Sequence, residues 1–419
     1  MPTTFQRARA NERMLAVEEA QEQVLAAVAP LPEEEVSLGE ALGRVLREDV
    51  IAPADVPQRD NTAMDGYAVR AGDLDGATQE HPAILRVIED LPAGSLANRS
   101  VEPGTAIRIM TGALMPDGAD AVAHVEITDA GRETVRVYQP IQAGTHIRRR
   151  GEDMLAGDIV VSEGIRIGPG EIGVLAAVQK SVLRVGRRPE VAILSTGNEL
   201  IGIDEVRTPG KVVNSNAWAL EALVREAGAI PRPLGIVRDT REATIAAFES
   251  ALASDVIISS GGVSAGAYDF VKDALDALGA ETKFWQVAMK PGKPVVLSTL
   301  RGRICFGLPG NPVSCMVSFH LFVAPALRKL MGQTTDILPP AVSVRMAADM
   351  TSRGDRRTYH RVRVVARDGS LLATPMRAQG SGVTTSMVQA NALAIMERGV
   401  THVEAGSVLP AVLFGMIGQ

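Results

Sequence analysis

Five apolar runs in the middle of the chain each end in a turn that carries chemically useful side chains. The carboxylates at these turns are Glu199, Asp239 and Asp269, and the cations are Lys290 and Lys293. Hard divalent ions such as Mg²⁺ prefer carboxylate oxygens, whereas phosphate is bound by lysine and by free backbone N–H groups. Together these residue types predict a metal-assisted site for phosphate or another oxyanion.

The same turns are rich in glycine and small polar residues. Such residues are common in simple turns, and an acid after a strand is often a solvated cap, so the succession of five turns carries the prediction. In LPGNPVS, Asn311 is a candidate N-cap and Pro312 the first position of an apolar helix, whose start is a further anion site. The turn residues expected to bind the ligand are Thr196, Gly197, Ser260, Gly261, Gly262, Ser264, Pro309, Gly310, Asn311 and Pro312.

Alternating strands and helices must position these turns. SNAWALEALVREAG places Leu220, Leu223, Val224 and Ala227 on one helical face, and two later segments repeat the apolar period of 3.6. This alternation predicts an α/β fold with a central, mostly parallel sheet. In such a sheet the turns after the strands gather at one edge, so residues distant in sequence meet in one crevice.

Changes in pattern along the 419 residues predict several domains. The regions before and after the α/β segment have short runs broken by Gly, Pro and Asp, which is typical of β-rich structure. Asp368 and Gly369 form a hairpin signal in the last region. We expect an N-terminal helical and β-rich region over 1–185 (subdomains 1–50 plus 147–185, and 51–146), an α/β domain over 186–332, and a small C-terminal β-domain over 338–419.

Composition excludes several classes of protein. The formal net charge of −6 argues against nucleic acid as the main partner. No apolar run is expected to approach the roughly 20 residues needed to span a bilayer, and the amphipathic N-terminal segment carries acids, unlike a signal peptide. Cys305 and Cys315 lie in apolar stretches without metal-ligand spacing, which favours buried free thiols. The six histidines also lack ligand spacing, so core or surface roles are expected. A soluble, cytoplasmic protein without a membrane partner is the expectation.

Three consecutive arginines, Arg148, Arg149 and Arg150, directly precede the sequence Gly-Glu-Asp. A run of arginines is commonly a solvated surface patch, but beside a glycine turn it is also suited to receive a phosphate. The residue types leave both interpretations open.

Eight ordered motifs resemble molybdopterin molybdotransferase, the MoeA and gephyrin E-domain family. One position departs from a common form of the pattern, because Asn198 stands where many members have Asp, which weakens position 198 as a metal ligand. The motifs are DNTAMDGYAV (60–69), IRIMTGA (107–113), RRGED (149–153), STGNEL (195–200), VNSN (213–216), SGGVSAGAYD (260–269), MKPGKP (289–294) and LPGNPVS (308–314).

The resemblance implies a reaction. The family takes adenylylated molybdopterin and molybdate, cleaves the phosphoanhydride, leaves molybdenum on the dithiolene and releases AMP. Glu199, Asp239 and Asp269 would then serve Mg²⁺ or another divalent metal and the nucleotide end of the substrate. Lys290 and Lys293 would hold phosphate or molybdate.

The resemblance also implies site residues in the amino-terminal half of the chain. Asp65, Thr111 and Asp153 match family site positions, and Arg149 and Arg150 fall in a family motif and are expected to bind the cofactor. In the family the positions of Asp65, Thr111 and Asp153 lie across a dimer interface, so a homodimer with shared active sites is expected. Other proteins of molybdenum cofactor biosynthesis are the further partners implied.

Three alternative functions compete with this interpretation. A nicotinamide or flavin enzyme is disfavoured because neither a dinucleotide-binding glycine motif nor a P-loop is present. A molybdopterin adenylyltransferase resembles only the α/β segment, whereas the flanking regions fit the transferase. A gephyrin-like dimeric binding scaffold belongs to another class, and the intact site residues argue against a purely structural role.

Overall fold

The computed structural model describes residues 14–263 and 270–418, which fall into two compact units. The larger unit comprises Met1–Glu48, Glu163–Pro169 and Val182–Gln419, and the smaller comprises Asp49–Ser162 and Gly170–Ser181. Ser264 and Asp269, both predicted site residues, lie outside the described residues. The three-region division made from sequence stays a prediction.

A six-stranded central sheet organises the larger unit. Its first four strands are mutually parallel, and the last two run antiparallel to their neighbours. The change of direction follows from a two-residue hairpin at Arg301 and Gly302, whose positive φ values of 49° and 79° suit a type I′ turn. The sheet is therefore mixed, in the spatial order Ile230–Val237, Glu190–Thr196, Val256–Ser260, Arg303–Leu308, Pro294–Leu300 and Glu281–Gln286.

Helices cover both faces of this sheet. Along one strand Val191 and Ile193 point into one apolar core, whereas Ala192 and Leu194 point into another, because successive side chains alternate between faces. The first core contains Leu220, Leu223 and Val224, the face predicted from the helical period, with Ala227 packed against it. The covering helices are Ser215–Glu226 on one face and Arg241–Ala251 and Phe270–Ala277 on the other.

The helix that starts at Pro312 is long and apolar. It runs as Pro312–Ser318, a π-type segment over Phe319–Val323, and Ala324–Leu330. Pro325 cannot donate to the carbonyl of Leu321, which instead accepts a hydrogen bond of 3.1 Å from the Gln21 side chain.

By length and composition this helix is sufficient to cross a membrane, contrary to the expectation from sequence. In the most apolar 18-residue stretch of this helix, 78% is buried within the protein, so the helix belongs to the core of the larger unit. Cys315 on this helix and Cys305 are buried free thiols, as predicted, and burial raises the pKa of each to about 12.

A second six-stranded sheet closes the C-terminal part of the larger unit. Its strands are Met289–Lys290, Arg357–Arg367, Ser370–Pro375, Ala341–Met346, Val408–Leu413 and Ala392–Met396, and the last pairs back onto the second. The hairpin predicted at Asp368 and Gly369 is present, with φ values of 48° and 73°. The short strand at Met289 leaves the central region and pairs in parallel with Arg357–Arg367, which places Lys290 beside Thr358.

The rest of the larger unit consists of short elements. The predicted amphipathic segment near the amino end forms the helix Val17–Ala26, with Val17, Ala20 and Val24 buried. The other elements are the helix Thr385–Gln389, the one-turn helix Leu38–Glu40, and the strand pairs Glu33–Ser37 with Val182–Gly186, Leu200–Ile201 with Val212–Val213, and Met350–Thr351 with His402–Val403.

The smaller unit is built on a five-stranded sheet with an apolar core on each face. Tyr67 and Val69 point into one core, and Ala68 points into the other. The strand order is Ala121–His124, Gly66–Val69, Thr105–Ile109, Ala83–Leu91 and Thr134–Val137. Two strand pairs (Val50–Ile51 with Ile159–Val161, Asn61–Thr62 with Ile147–Arg148), the helix Pro169–Ala177 at its border, and one-turn helices at Ala71–Leu74 and Val125–Ile127 complete the secondary structure.

Candidate functional site

An acidic cavity of about 540 Å³ lies at the carboxyl ends of the parallel strands. The crossovers bring the turns after these strands to one edge, as expected for an α/β sheet. Glu199 and Asp239 are its two acids among the described residues. The other predicted residues that line this acidic cavity are Thr196, Gly197, Ser260, Gly261, Gly262, Pro309, Gly310, Asn311 and Pro312.

Asn198 fixes the position of the two acidic turns. The Asn198 backbone N–H donates to a carboxylate oxygen of Asp239 at 2.9 Å, and the Asp239 N–H donates to the Asn198 side-chain oxygen at 3.2 Å. Lys211 Nζ donates to the Asn198 carbonyl oxygen at 2.5 Å. An amide at position 198 thus keeps the acceptor that an aspartate would supply, and its role here is to join two turns.

The turn after strand Val256–Ser260 requires glycine. Gly261 and Gly262 have φ values of 91° and 67°, a region that other residues rarely adopt. A Cβ at Gly262 would lie 2.6 Å from the Val271 side chain and 2.7 Å from Thr196 Oγ1. The turn therefore lies tightly against its neighbours and leaves backbone next to the cavity.

Asn216 connects two walls of the acidic cavity. Its buried side-chain amide donates to Ser260 Oγ and to the carbonyl oxygen of Gly310, both at 2.8 Å. Asn214 caps the same helix by accepting from the Ala217 N–H at 3.3 Å. Asn216 was not among the predicted site residues, although it belongs to the VNSN motif that supports the family resemblance.

The start of the helix at Pro312 matches the prediction in part. Asn311 occupies the N-cap position and Pro312 the first helical position. The Asn311 side chain makes no capping hydrogen bond within the described residues, so its amide is available to a ligand.

The donor set of the acidic cavity suits a magnesium ion that is shared with a substrate. Glu199 and Asp239 line it together, but no group of three His, Cys, Asp or Glu residues capable of holding a metal occurs among residues 14–263 and 270–418. Mg²⁺ is commonly held by one or two carboxylates together with substrate phosphates and water. Two carboxylates are consistent with that mode of binding.

A basic cavity of about 690 Å³ adjoins the acidic one and shares Pro294 and Asn311 with it. Lys290 and Lys293 line it, as expected for an anion site. Three further cations line this cavity that were not predicted from the sequence, Arg356, Arg361 and Arg377, and they come from the C-terminal sheet and its loops. Their acidic counterpart in the lining is Asp349.

Arg361 holds one wall of the basic cavity. Its guanidinium donates to Ser386 Oγ at 3.1 Å and to the carbonyl oxygens of Ala378 and Gly380 at 3.2 and 3.0 Å. Burial lowers the pKa of Arg361 to about 10, so the side chain remains cationic near neutral pH. The Arg361 side chain thus adds a fixed positive charge to the basic cavity and also holds the loop that contains Ala378 and Gly380.

Asp65 and Thr111 form a compact pair in the smaller unit. The Thr111 backbone N–H and hydroxyl both donate to the same Asp65 oxygen at 2.7 Å. These hydrogen bonds, backbone first, hold the pKa of Asp65 below its usual value. Asp65 directly precedes the strand that begins at Gly66, and Thr111 follows the strand that pairs with it, so the sheet register joins them.

The predicted arginines have acidic partners in the same unit. Arg149 contacts Asp60 at 2.6 Å, and Arg150 contacts Asp55 through its Nε. Arg148 lies 3.8 Å from Glu152. Asp153 is exposed, and its backbone N–H donates to the Val56 carbonyl at 3.0 Å. The roles of all these residues stay predictions.

Three family models match successive parts of the chain. Residues 15–178 match the MoeA N-terminal region (domain I and II), residues 192–329 match a probable molybdopterin binding domain, and residues 343–414 match the MoeA C-terminal region (domain IV). A molybdopterin molybdenumtransferase from Nostoc is 40% identical over 378 residues, covering 88% of this chain and 86% of the relative. The chain belongs to the MoeA family.

Other members of this family are similarly close. Molybdopterin molybdenumtransferase 2 from Mycobacterium tuberculosis is 40% identical, with 89% of this chain and 93% of the relative covered. A molybdopterin molybdenumtransferase from Bacillus subtilis is 36% identical, with 90% and 89% covered. The family resemblance inferred from the motifs is confirmed.

Solved MoeA structures share the fold. Two crystal structures of a molybdopterin biosynthesis MoeA protein from Pyrococcus horikoshii match with TM-scores of 0.76 and 0.82 at 32% and 29% identity. Each match covers 96% of this chain and 100% of the other. The mixed α/β architecture with a small C-terminal domain is thus that of the MoeA family.

Proposed function

We propose that this protein inserts molybdenum into molybdopterin during molybdenum cofactor biosynthesis. Its substrates are molybdate and adenylylated molybdopterin, and cleavage of the phosphoanhydride releases AMP. The observation that carries the proposal is the adjacency of the acidic and basic cavities, which share Pro294 and Asn311 within one unit of a MoeA-family chain.

The two cavities suit the two ends of this reaction. The backbone N–H groups of Gly262 and Gly310 lie at turns that line the acidic cavity and are suited to contact the substrate phosphates, whereas the Gly261 N–H is already bonded to the Leu308 carbonyl at 3.0 Å. Lys290 and Lys293 supply positive charge next to this region, where an anion is held and where charge develops as the anhydride is cleaved. Asn216 keeps two of these walls in register, which orients the substrate without adding charge.

A divalent metal, Mg²⁺ in our proposal, belongs at Glu199 and Asp239, with Asp269 as the third acid expected from sequence. When bound, the metal neutralises negative charge on the phosphoanhydride. The protein's own part is to hold the metal-binding turns in place, and the Asn198 contacts do so for the carboxylate and the backbone of Asp239.

We further propose that the protein works as a cytoplasmic homodimer. Asp65, Thr111 and Asp153 then complete the site of a partner subunit, as the family resemblance implies. Other proteins of molybdenum cofactor biosynthesis deliver the pterin and receive the product.

The test is a reconstituted reaction. Purified protein with Mg²⁺, molybdate and adenylyl-molybdopterin is expected to release AMP and to form a cofactor that activates an apo-molybdoenzyme. A parallel reaction with ATP and unadenylylated molybdopterin is expected to give no adenylylated product. Equal AMP release without any oxyanion, together with no active cofactor, would refute the transferase, and adenylylation in the parallel reaction would support the adenylyltransferase alternative.

A further inference from the structure

His360 is a buried titratable group for which the proposed reaction has no role so far. It lies on strand Arg357–Arg367, it is 7% exposed, and it lines the basic cavity. Its Nε2 atom is buried and has no hydrogen-bond partner within the described residues. Buried polar atoms normally find a partner, so a histidine that only filled the core would be expected to bond this nitrogen to the protein.

The surroundings of His360 are strongly cationic. The charged side chains that line the cavity with it are Lys290, Lys293, Arg356, Arg361, Arg377 and one acid, Asp349. On its own strand its neighbours are Tyr359 and Arg361, and the residue paired with it on the adjacent strand is the uncharged Ala394. Burial, followed by the charges of Arg361 and Lys290, lowers the pKa of His360 to about 4, so the ring is neutral near pH 7.

An anion in the cavity reverses this balance. One unit of negative charge about 4 Å from the ring raises a pKa by roughly 3 at an effective dielectric constant of about 20. A tetrahedral dianion therefore brings a pKa near 4 into or above the neutral range. It also presents an oxygen that accepts a hydrogen bond from a protonated ring.

We infer that His360 is a direct contact for the oxyanion and that it takes up a proton when the basic cavity is filled by a tetrahedral dianion. The inference rests on the proposed assignment of this cavity to the oxyanion. Binding of the dianion then tightens as pH falls, by up to about tenfold per pH unit between pH 7.5 and 6, because one proton is bound with each anion.

The experiment measures proton uptake directly. Calorimetric titration of the full chain with sulfate, and separately with molybdate, is performed at pH 6.5 in buffers of different ionisation enthalpy. Sulfate serves as the main probe because it stays a dianion across this range, so any uptake comes from the protein. We expect the wild type to take up about 0.5 to 1 proton per anion and His360→Gln to take up about none.

Two other histidines provide matched controls. His320 also has a pKa lowered to about 4 by burial, but it lines a different cavity, so His320→Gln is expected to keep the proton uptake. His402 Nε2 lies 3.7 Å from the carboxylate of Asp349, the acid that lines the basic cavity, so His402 tests whether an imidazole close to the cavity takes up the proton instead. His402→Gln is likewise expected to keep the uptake.

The outcomes separate this inference from the proposed function. Proton uptake that persists in His360→Gln, disappears in His402→Gln, or is absent from the wild type overturns the role of His360. Failure of both anions to bind, in a protein that still releases AMP and forms active cofactor, also overturns it and leaves the function standing. Uptake that depends on His360 in a protein without cofactor-forming activity supports the inference and refutes the function.

Discussion

At the scale of single residues, the site separates charge by sign. Glu199 and Asp239 line the acidic cavity, and Lys290 and Lys293 line the adjoining basic one. A divalent metal that is shared with substrate phosphates suits the first arrangement, and a free oxyanion suits the second. Asn311 lies where the two cavities meet, so a substrate that spans both would pass this residue.

Replacing Lys290 tests this separation of charge. Lys290→Ala is expected to lose about 2 to 4 kcal/mol of transition-state stabilisation, a decrease of roughly 30- to 1000-fold in kcat/KM, because one preorganised cation is removed. Steady-state AMP release at varied molybdate concentration measures the effect. Folding is expected to stay nearly unchanged, since the strand pairing of Lys290 with Thr358 uses backbone groups.

Lys283→Ala provides the matched control. Lys283 forms an exposed ion pair of 2.5 Å with Glu281 on the edge strand of the central sheet, and such pairs contribute at most about 1 kcal/mol. Its turnover is expected to equal that of the wild type. Wild-type turnover in Lys290→Ala would show that this lysine does not contribute to the site.

At the scale of elements, the site depends on contacts that fix strand ends. Asp255 is the main example outside the cavities. Its carboxylate accepts from the Arg187 guanidinium at 2.7 and 3.0 Å and from the Glu190 N–H at 2.9 Å, and Arg303 lies 3.5 Å away. One carboxylate thus joins the starts of three neighbouring strands of the central sheet.

The Asp255 contacts predict a dependence of stability on pH. Burial raises the pKa of Asp255, but the Arg187 and Glu190 hydrogen bonds and the nearby charges outweigh it, so the net pKa is below the ordinary value. A lowered folded-state pKa gives stability that is present above the unfolded pKa of about 3.9 and is lost as pH falls through the folded pKa. Asp255→Asn is therefore expected to lower the free energy of unfolding by about 1 to 2 kcal/mol at pH 7, with partial exposure of Arg187 reducing the effect.

The measurement is urea unfolding followed by tryptophan fluorescence at several pH values. Both tryptophans belong to the larger unit, and Trp285 is buried in its central core, so the signal reports on this unit. The difference between wild type and Asp255→Asn is expected to be full above about pH 5 and to shrink towards pH 3. Glu281→Gln, which removes an exposed carboxylate, serves as control. A difference that stays constant down to pH 3 would show that the ionised carboxylate does not hold the strands together.

At the scale of the whole molecule, the sequence predicted the acidic cavity better than the basic one. Turns after apolar runs could be assigned to one sheet edge because parallel strands end together. Arg356, Arg361 and Arg377 were not predicted, because they lie on the second six-stranded sheet and its loops, whose local pattern does not indicate which side chains line the same cavity as Lys290. The same limit applies to Arg149 and Arg150, whose acidic partners Asp55 and Asp60 come from a distant loop.

The local sequence pattern also did not predict the directions of the strands or the length and burial of the helix that begins at Pro312. Parallel and antiparallel strands of a buried sheet have the same apolar appearance, and here the hairpin at Arg301 and Gly302 determines the direction. The helix beginning at Pro312 is apolar on nearly all sides because it is surrounded by the core of the larger unit, which makes its composition similar to that of a membrane span.

Assembly gives the last prediction. The family resemblance implies a twofold dimer in which each site takes Asp65 from one chain and Lys290 from the other. Asp65→Ala and Lys290→Ala are each expected to be nearly inactive. When the two variants are mixed under conditions that exchange subunits, about half of the dimers become mixed, and each mixed dimer has one complete site and one site that lacks both residues. Recovery of roughly a quarter of wild-type AMP release follows from this pairing.

Two variants of the same region, Asp239→Ala and Lys290→Ala, serve as the control pair and are expected to show no recovery. If Asp65 and Lys290 served a site within one chain, no mixed dimer would contain a complete site, and activity would stay at the level of the separate variants.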